Sequence, residues 1–342
     1  MNAFAQSDTS HTDYQGLFFD YLVRQQFTWF GHQQQQVTAG AIETKLSERL
    51  ELAMQQSSQN PARLLFVRLT LGEQLPGMLD LVMDQSDTDD SMRRAVNSES
   101  WLSKELLQWV NAPRFRQITG SHNDFVTSLD EALAEFNGKM LARQLIEFAM
   151  VQAAAREARF CKLLNRRILE WSQELAQCAA ALAHERGLCA ATVSMASLVQ
   201  GLAPLAISQN FVHLFDGQIK LALEKARDSG QKQAYDQLNS IKPPVRVLLA
   251  HLTRSTGLQH ALLAELGATG KLLASLTREV DADLPVEQLS ELAQVIRQAR
   301  GYSQYRWLND ACVLTPHQSH MLLSELALSE HDLTTLSRLR RR

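Results

Sequence analysis

The sequence predicts an all-α protein, and three observations lead to this prediction. Turn-forming residues are scarce, with 15 Gly and 8 Pro in 342 residues, well below the share of about 12% that these two residues have in average proteins. Leu, Ala and Gln, which favour helices, are abundant. Apolar residues recur at helical spacing, and no convincing run alternates between apolar and polar residues as a half-buried strand does. Sandwiches, barrels and doubly wound sheets need frequent turns and are therefore disfavoured.

Composition and charge exclude several classes of protein. An apolar fraction of 45% is too high for a disordered chain, and the length allows about two domains with a substantial core. The formal net charge of −3 gives no broad basic surface, so nucleic acid is not an expected partner. The basic cluster at 338–342 is interpreted as a solvated chain end.

No signal for secretion, for a membrane span or for a cysteine-based site is present. The N-terminus lacks the cationic and apolar segments of a signal peptide, and no uninterrupted apolar run approaches 18 residues. The four cysteines form no C-x-x-C pair, which disfavours a zinc knuckle or a redox motif. The sequence therefore predicts a cytoplasmic protein with reduced thiols and no membrane partner.

The first 70 residues are predicted to form a helical extension. Residues 1–13 are polar and are expected to be disordered. Helical apolar spacing begins near Leu17, and a second helix carries apolar residues spaced in fours, which gives one narrow stripe. These residues are Ile42, Leu46, Leu50 and Met54.

Helix ends can be assigned through the segment 71–270 from caps and prolines. A helix is expected to end at Ala112, because Pro113 disfavours the helical conformation of the residue before it. Ser128 and Glu131 have the spacing of a capping box and predict the start of a helix. A long helix is predicted from about Trp171.

Prolines and glycines mark the next helices. The helix that follows 187 is expected to bend or end at Pro204. Pro243-Pro244 predicts a helix start, and Gly267 and Gly270 are interpreted as the end of that helix.

The segment 271–342 is predicted to be a C-terminal helical segment. Start signals lie at Asp283-Leu284-Pro285, and Thr315-Pro316 and Ser329-Glu330 predict two final short helices. The segment also contains a compact group of aromatic residues and arginine. Two interpretations remain open for this group, packing onto the main domain or a protein interface, which such residues favour. Its members are Tyr302, Tyr305, Arg306 and Trp307.

An ordered series of motifs between about 75 and 210 resembles a known family. The series consists of Leu75-Pro76, the helix 101–110 followed by Asn111-Ala112-Pro113, Ser128-Leu129-x-x-Ala132-Leu133, Trp171-Ser172-x-x-x-Ala176 and the helix 195–204. In order and spacing it is similar to the HDOD domain, the bacterial relative of the HD-type phosphohydrolases. The resemblance implies an HDOD-like multi-helix domain at 71–270, flanked by the helical N- and C-terminal extensions.

The catalytic positions depart from the HD pattern. A catalytic HD site uses a His, a His-Asp pair and a further Asp around one or two divalent metals, which activate water. At the matching positions this sequence has Trp171 and Gln200-Gly201, and neither Trp nor Gly offers a side-chain ligand. The resemblance therefore implies a degenerate metal site with no catalytic residue, no metal and no cofactor. Trp171 is expected to fill the space that the metal centre would take.

The function predicted from these residues is a non-catalytic bacterial signalling module that binds another protein and is not an enzyme. Two alternatives remain open. One is a residual metal-dependent phosphohydrolase with displaced ligands such as His213, Asp216 or His251. The other is an effector module that binds a nucleotide second messenger, as a small-molecule ligand, in the pocket of the relic site.

Overall fold

The computed structural model describes residues 13–28, 40–84, 94, 96–97, 100–113, 115, 125–134, 138–156 and 160–339. Helices dominate these residues and no strand occurs among them, so the predicted all-α fold class is confirmed. Of the residues 1–13 that are predicted to be disordered, 1–12 lie outside the described ranges, as do the basic residues 340–342, whereas Asp13 is the N-cap of α1 and accepts a hydrogen bond from the Gly16 amide. The helices of six residues or more are α1 Tyr14–Gln26, α2 Ala41–Ser58, α3 Leu75–Asp84, α4 Ser100–Val110, α5 Leu129–Ala134, α6 Gly138–Ala155, α7 Lys162–Glu185, α8 Ala190–Leu198, α9 Leu202–Asp228, α10 Lys232–Ser240, α11 Val245–Thr253, α12 Thr256–Ala264, α13 Gly267–Val280, α14 Glu291–Asp310, α15 Pro316–Glu325 and α16 Glu330–Ser337. A short helical turn Pro61–Arg63 and a π-helical segment Leu64–Arg68 lie between α2 and α3.

The core is organised around α7, the 24-residue helix in the middle of the chain. It packs against α6, α8 and α9, and it also contacts α1 from the N-terminal extension and α14 and α16 from the C-terminal segment. Buried side chains from both extensions and from the central segment form one large hydrophobic cluster, and a second, smaller cluster contains Val110, Phe115 and Ala132. The two extensions therefore share their core with the segment 71–270.

One stretch, Ala190–Asp228, is long and apolar enough to cross a membrane by length and composition. Within the fold, 83% of its most apolar window is buried inside the protein. Burial of this kind is what a central helix of a helical core shows, and α9 contacts α2, α10 and α11 along its length.

Several predicted helix starts are present with their capping hydrogen bonds. The amide of Glu131 donates to Ser128 Oγ over 3.2 Å, and the Glu131 carboxylate accepts from the Ser128 amide over 3.4 Å, as a capping box requires. Thr315 and Ser329 each form a capping box at the start of α15 and α16. Pro244 is the N-cap of α11. These predictions are confirmed.

Three predicted helix boundaries are wrong. α7 begins at Lys162 and not near Trp171. Pro204 does not end a helix, because it lies in the first turn of α9, where the missing N–H of proline has no helical partner to lose. Gly267 and Gly270 do not end the helix that starts after Pro244, since Gly267 opens α13 and Gly270 lies inside it.

Asp80, in the middle of α3, caps the start of α13, although the two lie far apart in the sequence. Its carboxylate accepts hydrogen bonds from the amides of Ala268 and Thr269, at 2.9 and 2.7 Å. Gly267 has a φ of +76° and passes so close that a Cβ there would lie 2.4 Å from Asp80 Oδ2. Burial raises the pKa of Asp80, but the hydrogen bonds from Thr269 and Ala268 outweigh burial, and the net pKa is lowered.

We expect Asp80→Ala to lower the free energy of unfolding by about 1 kcal/mol at pH 7, the usual loss for a removed N-cap. Because the folded pKa is depressed, the stabilisation is present above the ordinary aspartate pKa and is lost as pH falls through the folded value. Urea denaturation of both proteins at pH 7 and pH 3 measures this effect. A difference between them that does not shrink at pH 3 contradicts the assignment.

Candidate functional site

The structure brings the two relic positions together. Trp171 lies in α7, and Gln200 lies in the 3₁₀ turn Val199–Gly201 between α8 and α9. Both side chains are buried and line one small pocket, together with Asp281 and Arg300. The rings of Phe18 and Phe19 pack on Trp171, with centroids at 5.1 and 6.3 Å. Aromatic side chains from α1 therefore close this region from the side of the N-terminal extension.

An ion pair occupies the polar side of this pocket. Arg300 Nη1 lies 2.5 Å from Asp281 Oδ1 and 3.5 Å from Gln200 Oε1. The second carboxylate oxygen of Asp281 lies 3.0 Å from His260 Nε2. The carboxylate is thus held by a guanidinium on one side and an imidazole on the other, and the cation next to it belongs to the protein itself.

The side chains at the relic site do not fit a divalent metal. Trp171 offers no ligand atom, and the Arg300 guanidinium at 2.5 Å from Asp281 repels a second cation at the same carboxylate. Within the described ranges, no three His, Cys, Asp or Glu side chains are grouped so that they could hold a metal ion.

The displaced ligands considered from the sequence also lie in unfavourable surroundings. Burial lowers the pKa of His213 on α9, and the guanidinium groups of Arg68 and Arg63 lower it further against the opposing effect of Asp216. The guanidinium groups that disfavour a charged imidazole also disfavour a metal cation at this place. His251 Nε2 on α11 lies 3.3 Å from Glu51 Oε1 of α2, which makes it part of a helix–helix contact.

Gly201 has a packing role of its own. A Cβ at this position would lie 2.8 Å from Ser172 Cβ and 3.0 Å from Met150 Cε. Ser172 Cβ is fixed to the backbone of α7, so it cannot move aside as the end of a flexible side chain could. The glycine therefore permits the close approach of the 3₁₀ turn to α7. This packing explains a glycine at position 201 independently of the lost metal ligand.

The space left in the relic pocket is about 30 Å³, about the volume that one water molecule takes in the liquid. A nucleotide is many times larger. The sequence-based alternative that placed a nucleotide effector in the relic pocket therefore does not fit this geometry.

A much larger cavity, of about 460 Å³, lies between α1, α7 and α14. Its wall consists almost entirely of side chains that can form hydrogen bonds. The lining residues are Tyr21, Gln25, Arg167, Glu170, Gln173, Glu174, Gln177, Trp307, Asp310 and Ala311. We call this space the α1/α7/α14 cavity.

The aromatic and arginine group of the C-terminal segment is divided between the core and this cavity. Tyr302 and Trp307 are each 6% exposed, and Tyr305 and Arg306 are half-buried. Arg306 Nε lies 3.5 Å from Glu174 Oε1. Of the two open interpretations, these positions match packing onto the main domain, since the buried rings present little surface to a partner.

Trp307 is held in place from three sides. Its Nε1 atom donates to Glu174 Oε2 over 3.0 Å, its ring meets the ring of Phe18 edge-on at 6.3 Å, and the Arg167 guanidinium lies 5.5 Å from its centroid. Arg167 in turn pairs with Glu170 over 2.9 Å. A fixed aromatic ring with surrounding charges is a suitable wall for a ligand site.

Sequence reasoning missed most of the cavity wall. One signal is present on α7, where Arg167, Glu170, Glu174 and Gln177 recur at helical spacing and form a polar stripe. A stripe of this kind is usually a solvated face. Its enclosure by α1 and α14 became visible only in the structure.

Comparison with known proteins finds one similar solved structure. No protein-family model and no curated protein matches the chain. Among solved structures, a crystal structure from Shewanella amazonensis described as a "putative metal-dependent phosphohydrolase" is similar, with 12% sequence identity and a TM-score of 0.48. The match covers 82% of this chain and 99% of that chain.

The description of that structure corrects one prediction. The sequence predicted that the chain is not an enzyme, and a similar structure described as a hydrolase contradicts this prediction.

Proposed function

We propose that this chain is an HDOD-like regulatory module of bacterial signal transduction that binds a small polar molecule in the α1/α7/α14 cavity. The observation that supports the proposal is the cavity itself. Its volume of about 460 Å³ lies within the range of 300–1,000 Å³ that is usual for small-molecule sites. The relic pocket, with about 30 Å³, has no room for such a ligand.

The position of the cavity suits a regulatory role. α1 belongs to the N-terminal extension, α7 to the central segment and α14 to the C-terminal segment, and all three contribute to the wall. A ligand that contacts all three stabilises their packing by mass action, because it binds the docked arrangement only. The ligand-bound and ligand-free proteins then differ in the stability with which α1 and α14 pack against α7.

In this proposal a cytoplasmic protein partner distinguishes the two states. The resemblance to the HDOD family supports a partner, because that family is associated with signalling output. Large exposed apolar side chains, which a partner can contact, lie on several elements. Those in the described ranges include Leu52 on α2, Leu221 on α9 and Met321 on α15.

The proposal is tested by capture of small molecules from an extract of the native cell. Ala311 lines the cavity just after α14 and is half-buried, so we expect Ala311→Trp to fill the space without a change in the core. The matched control is Leu221→Trp at an exposed position of α9. We expect mass spectrometry of the denatured proteins to find a retained compound with the wild type and the control, but not with Ala311→Trp.

Equal retention by the wild type and Ala311→Trp would show that the compound binds elsewhere. Failure of the wild type to retain any compound would also contradict the proposal. Circular dichroism of the three proteins confirms that they share the same helical content.

A further inference from the structure

We infer that the Arg63/Arg68 surface of this protein is the docking site for an acidic segment of its protein partner. This surface consists of Arg63, Val67 and Arg68 in and before the π-helical segment, together with His213 on α9, which contacts that segment. The inference rests on the proposed function, which requires a protein partner, and it specifies the chemistry of that partner. The backbone of the segment, the balance of charges and the exposed face of α9 support it.

The backbone before Leu69 is wound more widely than an α-helix. The amide of Leu69 donates to the carbonyl oxygen of Leu64, five positions earlier, over 2.9 Å. On an α-helix, side chains five positions apart point about 140° away from each other. The i to i+5 hydrogen bond of a π-helix brings such side chains toward one face. Arg63 and Arg68 have this spacing, so the unusual winding favours their approach.

The residue that follows this segment has a strained backbone. Thr70 has a φ of +47°, in the left-handed region that β-branched residues rarely adopt. Both π-helical turns and strained residues of this kind occur often at functional sites. The fold therefore keeps an unfavourable backbone at the place where the two arginines come together.

The charges at this surface are positive on balance. Burial lowers the pKa of Arg68, and the guanidinium of Arg63 lowers it further. After burial, Arg68 and Arg63 each lower the pKa of His213 more strongly than Asp216, the one carboxylate acting on it, raises it. Within the described ranges, none of these three basic side chains forms an ion pair. An acidic group placed here would therefore meet cations without a competing carboxylate partner.

The exposed face of α9 extends this surface. Gly217 and Lys220 follow His213 at i+4 and i+7, so all three share one side of the helix, and all three are exposed. A Cβ at Gly217 would have no atom within 4 Å, which leaves a gap in the row of side chains. Leu221, beside Lys220, is 68% exposed, and Glu224, one turn further, ends the cationic part of this face.

An acidic polypeptide segment fits this surface better than a small anion does. The surface is open, since Arg63 and His213 are exposed and neither lines the α1/α7/α14 cavity or the relic pocket. A single ion pair on an open surface is screened by salt and contributes little, so affinity requires several contacts. The exposed side chains of Val67 and Leu221 next to the cations complement a segment in which acidic and apolar residues are interspersed.

Fluorescence anisotropy of labelled peptides with the full chain tests the inference at physiological ionic strength. The probe is a peptide with the repeat Glu-Glu-Leu-Ala, and the matched neutral peptide has the repeat Gln-Gln-Leu-Ala. We expect saturable binding of the acidic peptide and none of the neutral one. Arg63→Glu should weaken the binding about tenfold or more, because a charge-assisted contact is lost and a like charge takes its place.

Arg63→Glu should fold normally, because this position is the third of a short helix that Asn60 caps, where glutamate is favourable. The matched control is Arg338→Glu at the exposed end of α16, which we expect to leave the affinity unchanged. Val67→Thr keeps the shape of the side chain and tests the apolar contact. It should weaken binding of the Glu-Glu-Leu-Ala peptide about threefold and leave binding of a Glu-Glu-Ala-Ala peptide unchanged.

Four results would overturn the inference. One is the absence of saturable binding of the acidic peptide, and another is equal weakening by Arg63→Glu and Arg338→Glu, which would show binding to basic residues in general. The third is an equal effect of Val67→Thr on the peptides with and without leucine. The fourth is displacement of the peptide by inorganic phosphate but not by chloride at the same ionic strength, since a small anion would then be sufficient.

The outcomes separate this inference from the proposed ligand site. A protein that retains a compound from the native extract but does not bind the acidic peptide loses the docking surface and keeps the ligand site. A protein that binds the peptide through Arg63 but retains no compound loses the ligand site and keeps the docking surface.

Discussion

Trp171→Ala is expected to lower the free energy of unfolding by about 3–5 kcal/mol, the range for removal of a large aromatic side chain from a core. Trp171 is 3% exposed, and its ring packs on Phe18 with centroids 5.1 Å apart. Its Nε1 atom is buried without a hydrogen-bond partner among the described residues, so the loss comes from packing and from the cavity left behind. Equilibrium denaturation in urea measures it.

Two further variants identify the cause of this loss. Trp171→Phe keeps one aromatic ring against Phe18 and should lower the free energy of unfolding by less than about 2 kcal/mol. Leu221→Ala removes a side chain that is 68% exposed and should change it by less than about 0.5 kcal/mol. A loss below about 1 kcal/mol for Trp171→Ala would show that the ring does not pack as the structure describes.

Gly201→Asp, which restores the carboxylate type of the catalytic HD pattern, is expected to lower the free energy of unfolding by more than about 3 kcal/mol. The first added atom would lie 2.8 Å from Ser172 Cβ, and the carboxylate would follow into a fully buried region. Gly201→Ala isolates the steric part and should lower it by about 1–3 kcal/mol. If the aspartate variant does not accumulate as a folded protein, urea denaturation of the alanine variant still measures the loss of stability that comes from the steric clash.

A double-mutant cycle with Ser172→Gly tests the steric explanation. On its own, Ser172→Gly in the middle of α7 should lower the free energy of unfolding by about 0.5 kcal/mol through helix propensity. If the clash with Ser172 Cβ is the cause, the double variant Gly201→Ala, Ser172→Gly should be more stable than the sum of the two losses by at least about 0.5 kcal/mol. Strict additivity would mean that the two positions are not in contact.

Local chemistry allowed the helix starts and the fold class to be predicted from sequence. Ser128 with Glu131, Thr315 with Gln318 and Pro244 each act within four residues of the helix that they begin. Pro204 shows the limit of the same reasoning, because whether a proline ends a helix depends on its position in the first turn or beyond it. That position is set by the tertiary placement of the 3₁₀ turn before α9.

The candidate site could be predicted only in part, because its residues come from distant parts of the chain. The relic positions Trp171 and Gln200 followed from an ordered motif series, but Asp281 and Arg300 carry no motif and join them only through folding. For the same reason, Tyr21 and Asp310 could not be assigned to one cavity wall from the sequence. The group around Trp307 was recognised as notable, while its enclosure beside α7 was not.

The most direct test of the proposed ligand site is a crystal structure of the protein isolated from its native cell without added ligand. The proposal predicts ordered electron density for a non-protein molecule in the α1/α7/α14 cavity, in contact with Trp307 and Asp310. A cavity that contains only water, or that closes as α1 or α14 moves inward, would contradict it.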